Sequence, residues 1–342
     1  MAVITIVGAG MMGSALSLPS CDNGHTVRLV GTPLDSEIIR RVAEDRYHPT
    51  LKRFLPRSVA AFPFERLEEA VRGADLVIGG VSSFGLDWFC DCALPLIPEQ
   101  TPVLSVTKGM IGLPDGSLQP YPVYLAEREA PRRHNLNAIG GPCTSYELAD
   151  RRHSTVAFCG RDEATLRQLR DWLQTDYYHV SVSTDVTGVE CAVAMKNAYA
   201  LGVTLAVGLQ EAAEGPEAVP AYNPQAALFG QSVREMSRLI ALTGGGAENV
   251  SWAAGDLYVT IFGGRTRRLG TLLGKGLTIG EALEQLSGVT LESVVIARRT
   301  ADALGRMAEA GRADLADFPL LTHIGQLLEG NTRVSIPWER FR

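Results

Sequence analysis

Several things are scarce or missing in this sequence, and each absence removes a class of function. There is no Cys-x-x-Cys pair. The six cysteines are scattered at Cys21, Cys90, Cys92, Cys143, Cys159 and Cys191, and only Cys90-Asp91-Cys92 brings two close together. Nothing partners that pair at metal-ligand spacing, so no metal site and no disulfide framework are expected, and the cysteines read as small buried or half-buried thiols of a reduced protein. Positive charge is not in excess. Thirty-two Lys and Arg against 38 Asp and Glu give a net charge of −6, which argues against a generally basic nucleic-acid surface. The opening Met-Ala-Val-Ile-Thr-Ile-Val-Gly has no basic stretch and no small-residue cleavage site, so no signal peptide is expected and a cytoplasmic location is. One stretch, Cys191 to Leu209, is apolar enough to resemble a membrane span. Lys196 and Asn197 lie near its middle, where an ionisable group in lipid is costly, so a buried helix of a soluble core is the better reading.

What is present is an ordinary globular balance with a glycine excess. Apolar residues at 46% and charged residues at 20% exclude disorder, and 342 residues correspond to about two domains. Glycine occurs 35 times, above an average near 7%. Three of these glycines, Gly8, Gly10 and Gly13, form G-x-G-x-x-G directly after the β-branched run Val3-Ile4-Thr5-Ile6-Val7 and before a helical stretch from Ser14 to Ser20. The first glycine permits the tight turn, the second lets backbone approach a pyrophosphate, and the third lets helix pack on strand. Strand, glycine loop and helix N-terminus in that order point to dinucleotide binding.

Further strands are read at His25–Val30, Leu76–Val81, Pro102–Val106, Asn137–Gly140 and Ser154–Phe158, alternating with helical segments such as Leu67–Arg72. That alternation predicts βαβ units around a doubly wound, mostly parallel sheet. After about residue 185 strand signals vanish. Asn223-Pro224 reads as an N-cap with proline at the first helical position, opening a helix that stops at Gly244-Gly245-Gly246. Thr278-Ile279-Gly280-Glu281 fits a capping box, Val294–Ala310 is helical, and Glu211–Ala221 reads as an exposed loop. The expected plan is an α/β Rossmann domain over residues 1–183 and an all-α domain over 184–342.

The second strand ends Leu29-Val30-Gly31-Thr32 with no acidic residue to hold a ribose 2′-hydroxyl. Asp35 is the nearest, which favours NADP or use of both cofactors. Arg40 and Arg41 offer charge for a 2′-phosphate, but read better as a solvated helix face. Lys196 inside an apolar helix must find a partner, face a cleft or snorkel to the surface. In a cleft it is a proton donor and acceptor. Asp256 raises the same question amid small residues. Phe262-Gly263-Gly264-Arg265-Thr266-Arg267-Arg268 suits a phosphate, or a solvated basic loop. Lys108 sits after a strand, at the edge where open α/β sheets place ligands.

Taken in order, the Gly8–Gly13 fingerprint, Val81-Ser82-Ser83, Lys108-Gly109, Gly141-Pro142, Gly188-Val189-Glu190, Met195-Lys196-Asn197, Gly255-Asp256-Leu257 with Thr260, and Gly264-Arg265 resemble the NAD(P)-dependent glycerol-3-phosphate dehydrogenase family over nearly the whole chain. Gly31-Thr32 and His48-Pro49-Thr50-Leu51 look most like archaeal-type members. The resemblance implies hydride transfer between NAD(P)H and C2 of dihydroxyacetone phosphate. Lys196 would be the general acid/base and Asp256 would orient it. Lys108, Asn197, Thr260, Arg265 and Thr266 would line the substrate pocket, with Lys108 also in the catalytic set. Gly8, Gly10, Met11, Met12, Gly13, Thr32, Ser82, Lys108 and Arg265 would contact the cofactor. It also implies a homodimer acting on a small phosphorylated substrate.

Four positions depart from the family pattern. Thr266 stands where Asn usually follows the arginine, Gln231 where an arginine is usual, and Cys143 where Ser, Ala or Asn is common. Ile296 is read where an acidic or amide residue near the nicotinamide is expected. These departures leave two alternatives: the same chemistry on a related polyol phosphate or keto-phosphate, or a non-catalytic dinucleotide-binding sensor.

Overall fold

A computed structural model of the chain describes residues 1–330 and 332–341. The chain forms two compact units. The first comprises Met1–Lys108 and Pro120–Glu190, and the second Gly109–Gln119 and the chain from Cys191 onward. The division falls after Glu190, inside a continuous helix, and a short hairpin at 109–119 is carried into the second unit, where local turn signals gave no hint of its destination.

The first unit is built on β1 (Val3–Val7), β2 (Thr26–Val30), β3 (Tyr47–His48), β4 (Arg53–Phe54), β5 (Val59–Phe62), β6 (Leu76–Gly79) and β7 (Val103–Ser105). The inserted hairpin is β8 (Met110–Gly112) and β9 (Leu118–Pro120), and β10 (Leu136–Gly140), β11 (Ser154–Cys159) and β12 (Tyr178–Ser183) complete the set. Eight of these strands form one sheet in the order β12-β11-β10-β7-β6-β1-β2-β5. Every pairing is parallel except β10 with β11. This is the doubly wound, mostly parallel sheet expected from the βαβ alternation. The central strands are mainly apolar because both faces are covered. In β1 the lone polar side chain, Thr5, is satisfied by donating to Ala70 O at 2.6 Å. The two short hairpins were not anticipated, and within the main sheet the strands missed, β5 and β12, are its two edges, where half-burial weakens the apolar signal. The alternation in Tyr178-His179-Val180-Ser181-Val182 was nevertheless readable as period 2. Strand order reverses between β2 and β6 on either side of β1, so the loop after β1 lies at the topological switch point, where such sheets bind ligands.

The second unit is helical: the later part of Val186–Glu214, then Tyr222–Leu242, Val250–Ile261, Gly264–Gly274, Ile279–Gln285, Glu292–Glu309 and Pro319–Glu329. The long helix Val186–Glu214 is apolar and long enough to cross a membrane by composition alone, yet 83% of its most apolar window is buried inside the protein, as expected of a core helix. It runs on to Glu214, so the loop read at Glu211–Ala221 begins four residues later, at Gly215. Asn223 is not an N-cap. The next helix starts one residue earlier, at Tyr222, with Ala221 before it and no side-chain cap. The capping box at Thr278 is present, with Glu281 N donating to Thr278 Oγ1 and Thr278 N donating to Glu281 Oε2.

Part of the glycine excess has a use that spacing did not reveal. A Cβ on Gly208 would lie 2.0 Å from Thr271 O, and one on Gly274 would lie 2.2 Å from Leu205 O. A Cβ on Gly270 would lie 2.8 Å from Leu201 O. Helix Gly264–Gly274 thus crosses the long helix backbone against backbone, a closeness only glycine allows. This contact fixes the helix that begins with Gly264-Arg265.

Candidate active site

The glycine loop is shaped by contacts as well as by flexibility. Gly8 has φ +105, and a Cβ there would meet Gly80 backbone at 2.9 Å. A Cβ on Gly13 would lie 2.8 Å from Gly8 O, and one on Gly80 would lie 2.6 Å from the same oxygen. Gly80, at the end of β6, is therefore the floor of the loop. The Gly79-Gly80 pair in the sequence was the signal that would have found it. Beside the loop opens a cleft of about 390 Å³ lined by Gly8, Gly10, Thr32, Asp35, Val81 and Ser82. The first N–H groups of helix Met11–Ala15 have no intrahelical acceptor. A glycine-walled cleft and a helix N-terminus fit a dinucleotide diphosphate. Thr32 and Ser82 line this cleft. Arg40 pairs with Glu37 and Glu44 at 2.6 Å each, and Arg41 with Asp45 at 2.7 Å, all on one exposed helix face. The solvated-face reading of these arginines holds.

Lys108 follows β7 and donates from Nζ to Gly141 O at 2.9 Å. Gly141, with φ +108, turns the chain after β10 and presents that carbonyl. Glu190 was missed as a candidate in its own right. Its side chain is fully buried and neither carboxyl oxygen has a hydrogen-bond partner. Burial pushes its pKa up to about 8, with the nearby Lys108 charge pulling the other way.

In the second unit the long helix presents Lys196 to helix Val250–Ile261. Lys196 Nζ lies 2.8 Å from Asp256 Oδ1 and 3.0 Å from Thr260 Oγ1. Asp256 and Thr260 are one turn apart on the same face, and Thr260 Oγ1 donates to Asp256 O at 2.7 Å. Lys196 does not snorkel. With side chains 14% and 3% exposed, it and Asp256 form a nearly dry ion pair. Arg265 opens the next helix after Gly264, whose φ is +81, and donates to Thr290 O at 2.7 Å. Arg267 donates to Ile261 O at 2.8 Å, capping the preceding helix, so the basic run is divided among separate tasks. Asn197 and Thr266 are half-buried. Direct contact therefore joins Lys196, Asp256 and Thr260, while Arg265 is engaged with the segment leading into helix Glu292–Glu309.

The departures from the family pattern have separate explanations. Gln231 is buried, donates to Glu235 Oε1 at 2.8 Å and accepts from Arg234, so it belongs to a structural network. Ile296 packs in the core of the second unit. The acidic residue of this stretch is Glu292, in the first turn of its helix and two residues beyond the carbonyl that accepts from Arg265. Cys143 is half-buried against the core of the first unit.

Comparison with known proteins decides the family. The family models for the N-terminus and C-terminus of NAD-dependent glycerol-3-phosphate dehydrogenase match residues 3–166 and 185–338. The NADP(+)-dependent glycerol-3-phosphate dehydrogenase of Archaeoglobus fulgidus is 35% identical over 316 residues, 91% of each chain. The chain belongs to the NAD-dependent glycerol-3-phosphate dehydrogenase family. It is accordingly an oxidoreductase that uses NAD or NADP. A bacterial glycerol-3-phosphate dehydrogenase [NAD(P)+], from Shouchella clausii, is 28% identical over 322 residues, covering 91% of this chain and 88% of its own. The crystal structure of glycerol-3-phosphate dehydrogenase from Coxiella burnetii shares the fold with TM-score 0.78 and 24% identity, covering 99% of this chain and 97% of that one.

Proposed function

We propose that this glycerol-3-phosphate dehydrogenase family member catalyses the reversible reduction of dihydroxyacetone phosphate to sn-glycerol 3-phosphate, with Lys196 as general acid/base at the C2 oxygen. The observation that carries this reading is the Lys196–Asp256–Thr260 cluster, an ammonium held by two neighbours in a nearly dry setting. The bound nicotinamide supplies or takes the hydride at C2. As the carbonyl is reduced, negative charge grows on its oxygen. Lys196 Nζ stabilises that charge and delivers the proton. Asp256 and Thr260 fix the direction of the Nζ protons. Arg265 uses one of its N–H donors on Thr290 O, and its remaining guanidinium donors suit a phosphate. Lys108, held by Gly141 O, and Asn197 complete the substrate contacts, and Gly8, Gly10, Met11, Met12, Gly13, Thr32 and Ser82 hold the cofactor. The Arg265 assignment to both substrate and cofactor rests on the family resemblance.

NADP is the favoured cofactor in this reading, or both are used. Its support is the absence of an acidic residue at the end of β2 and the name of the archaeal relative. This reading also takes the enzyme to be a cytoplasmic homodimer, as the family resemblance implies. Thr266, shorter than the usual asparagine and adjacent to Arg265, motivates the second reading, in which a related keto-phosphate is preferred. The deciding experiment is a steady-state assay with dihydroxyacetone phosphate and longer keto-phosphates, run with NADH and with NADPH. Oxidation of either cofactor on dihydroxyacetone phosphate supports the proposal. No turnover, or outright preference for a longer chain, overturns it.

A further inference from the structure

We propose that Asp35 and His48 are a pair of positioning residues that grip the Ala9 peptide of the glycine loop from its two edges and so set affinity for NAD and NADP alike. The proposal rests on the reading of Gly8–Gly13 as the dinucleotide loop. Ala9 stands between two glycines, neither of which has a side chain to hold its own conformation, and Gly8 occupies the left-handed region. Left to itself, such a segment would have to be ordered by the ligand, at a cost in affinity. Here it is ordered beforehand.

Ala9 N donates to Asp35 Oδ2 at 3.1 Å. The same oxygen accepts from Thr32 N at 2.8 Å and Thr32 Oγ1 at 2.7 Å. One carboxylate oxygen thereby ties the loop after β1 to the loop after β2. On the opposite edge, His48 Nε2 lies 2.9 Å from Ala9 O. His48 Nδ1 accepts from Leu51 N at 3.0 Å, so the ring proton sits on Nε2 and is donated to Ala9 O. Both Ala9 and His48 are fully buried. His48 is placed by the β3–β4 hairpin, where it pairs with Arg53, so the hairpin has a task in the cofactor site although it is no part of the main sheet.

The grip also assigns Asp35 a role other than the one its position suggests. A carboxylate after the second strand ordinarily reads the ribose 2′-hydroxyl and selects NAD. Asp35 directs Oδ2 to three protein donors, two of them backbone. A ribose-reading carboxylate changes the ratio of the two affinities when it is removed. A grip changes both together.

The test uses the purified full-length chain and dissociation constants for NADH and NADPH measured by calorimetry. Asp35→Ala and His48→Leu are expected to weaken both cofactors by about tenfold, the scale of one buried hydrogen bond, with their ratio unchanged. KM for the cofactor rises accordingly, while kcat at saturating cofactor stays within about twofold, as lost uniform binding requires. His48→Gln keeps an N–H donor within reach of Ala9 O and recovers most of the affinity. Should His48→Leu fail to fold, Asp35→Ala reads the same grip from its other edge. A shift toward NADPH in Asp35→Ala, with NADPH affinity intact, overturns the proposal in favour of ribose reading. Unchanged affinities in a folded His48→Leu overturn it as well. Gly13→Val separates the two readings. If that variant binds both cofactors normally, the glycine-loop assignment itself fails. If it loses them while Asp35→Ala and His48→Leu do not, only the grip fails.

Discussion

Lys196 on one helix and Asp256 on another meet as an ion pair of 2.8 Å, 60 residues apart in sequence, with side chains 14% and 3% exposed. A pair this dry gains from its mutual attraction only while both partners are present, because either charge alone is left without compensation. The proposed mechanism therefore predicts two different losses. Lys196→Ala should lower kcat by about a thousandfold, within the range for a lost general acid/base, with cofactor affinity unchanged. Asp256→Asn keeps the shape and should lower kcat by a smaller factor, about tenfold to a hundredfold, with reduced thermal stability. Steady-state kinetics and thermal melts on the same preparations check both, and wild-type turnover in folded Lys196→Ala would falsify the mechanism.

The crossing of the long helix with Gly264–Gly274 predicts a sharp asymmetry between glycines. Gly208→Ala would put a Cβ 2.0 Å from Thr271 O, where backbone cannot yield cheaply. A loss of about 1–3 kcal/mol or more is expected. Gly280→Ala, in helix Ile279–Gln285, has nothing within 4 Å of the new Cβ and should gain about 0.5–1 kcal/mol from helix propensity. Urea unfolding of the two variants side by side gives the answer, and equal midpoints would contradict the close crossing.

Glu235 is a buried hub of the second unit. It accepts from Leu320 N at 2.8 Å, Leu321 N at 2.9 Å, Gln231 Nε2 at 2.8 Å and Tyr199 OH at 3.1 Å. Two of these donors are among the unpaired N–H groups that open helix Pro319–Glu329. Glu235→Ala strands all four, and a cost on the order of 3 kcal/mol or more is expected. The mutation should lower the midpoint of chemical unfolding with little effect on cofactor affinity. A midpoint equal to wild type would show that the hub contributes nothing.

Glu190 should impose a pH dependence on stability. Its pKa is raised from 4.5 to about 8 by burial, so between those values the folded chain holds a proton that the unfolded chain has released. Stability from this group is full below pH 4.5 and falls as pH rises towards 8. Lys108 is the cation that opposes the shift, and the buried Cys159 thiol interacts with the carboxyl from another side. His25, His48 and His323, whose burial lowers their pKa values, work in the opposite sense, because the unfolded chain takes up their protons first as pH falls below about 6.5. Comparing wild type with Glu190→Gln isolates the carboxyl. The variant should gain relative to wild type between pH 5 and 9, and parallel curves would rule the assignment out.

Much of this protein was legible along the chain because its signals are local. The β-branched run into Gly8-x-Gly10-x-x-Gly13 needs only a strand, a turn and a helix in succession, and these lie within 13 residues. The helical second half follows from periodicity and caps, and Lys196 stood out because an ammonium inside an apolar helix demands an explanation. Edge strands β5 and β12 and the start of the helix at Tyr222 escaped. Half-buried strands and uncapped helix ends leave faint traces.

The sequence alone determined the fold class, the strand–glycine–helix order around Gly8–Gly13 and the demand that Lys196 find a partner, since propensity, turn chemistry and the cost of a buried charge are set by short segments. Only the tertiary structure decided which groups act together. Lys196 gains Asp256 and Thr260 because two helices pack, helix Gly264–Gly274 is seated by glycines 208, 270 and 274 meeting backbone, and Asp35 and His48 converge on Ala9 from a loop and a separate hairpin. A hydrogen bond depends on distances of about 3 Å in space, and spacing in sequence carries no information about those distances once the chain has turned back on itself.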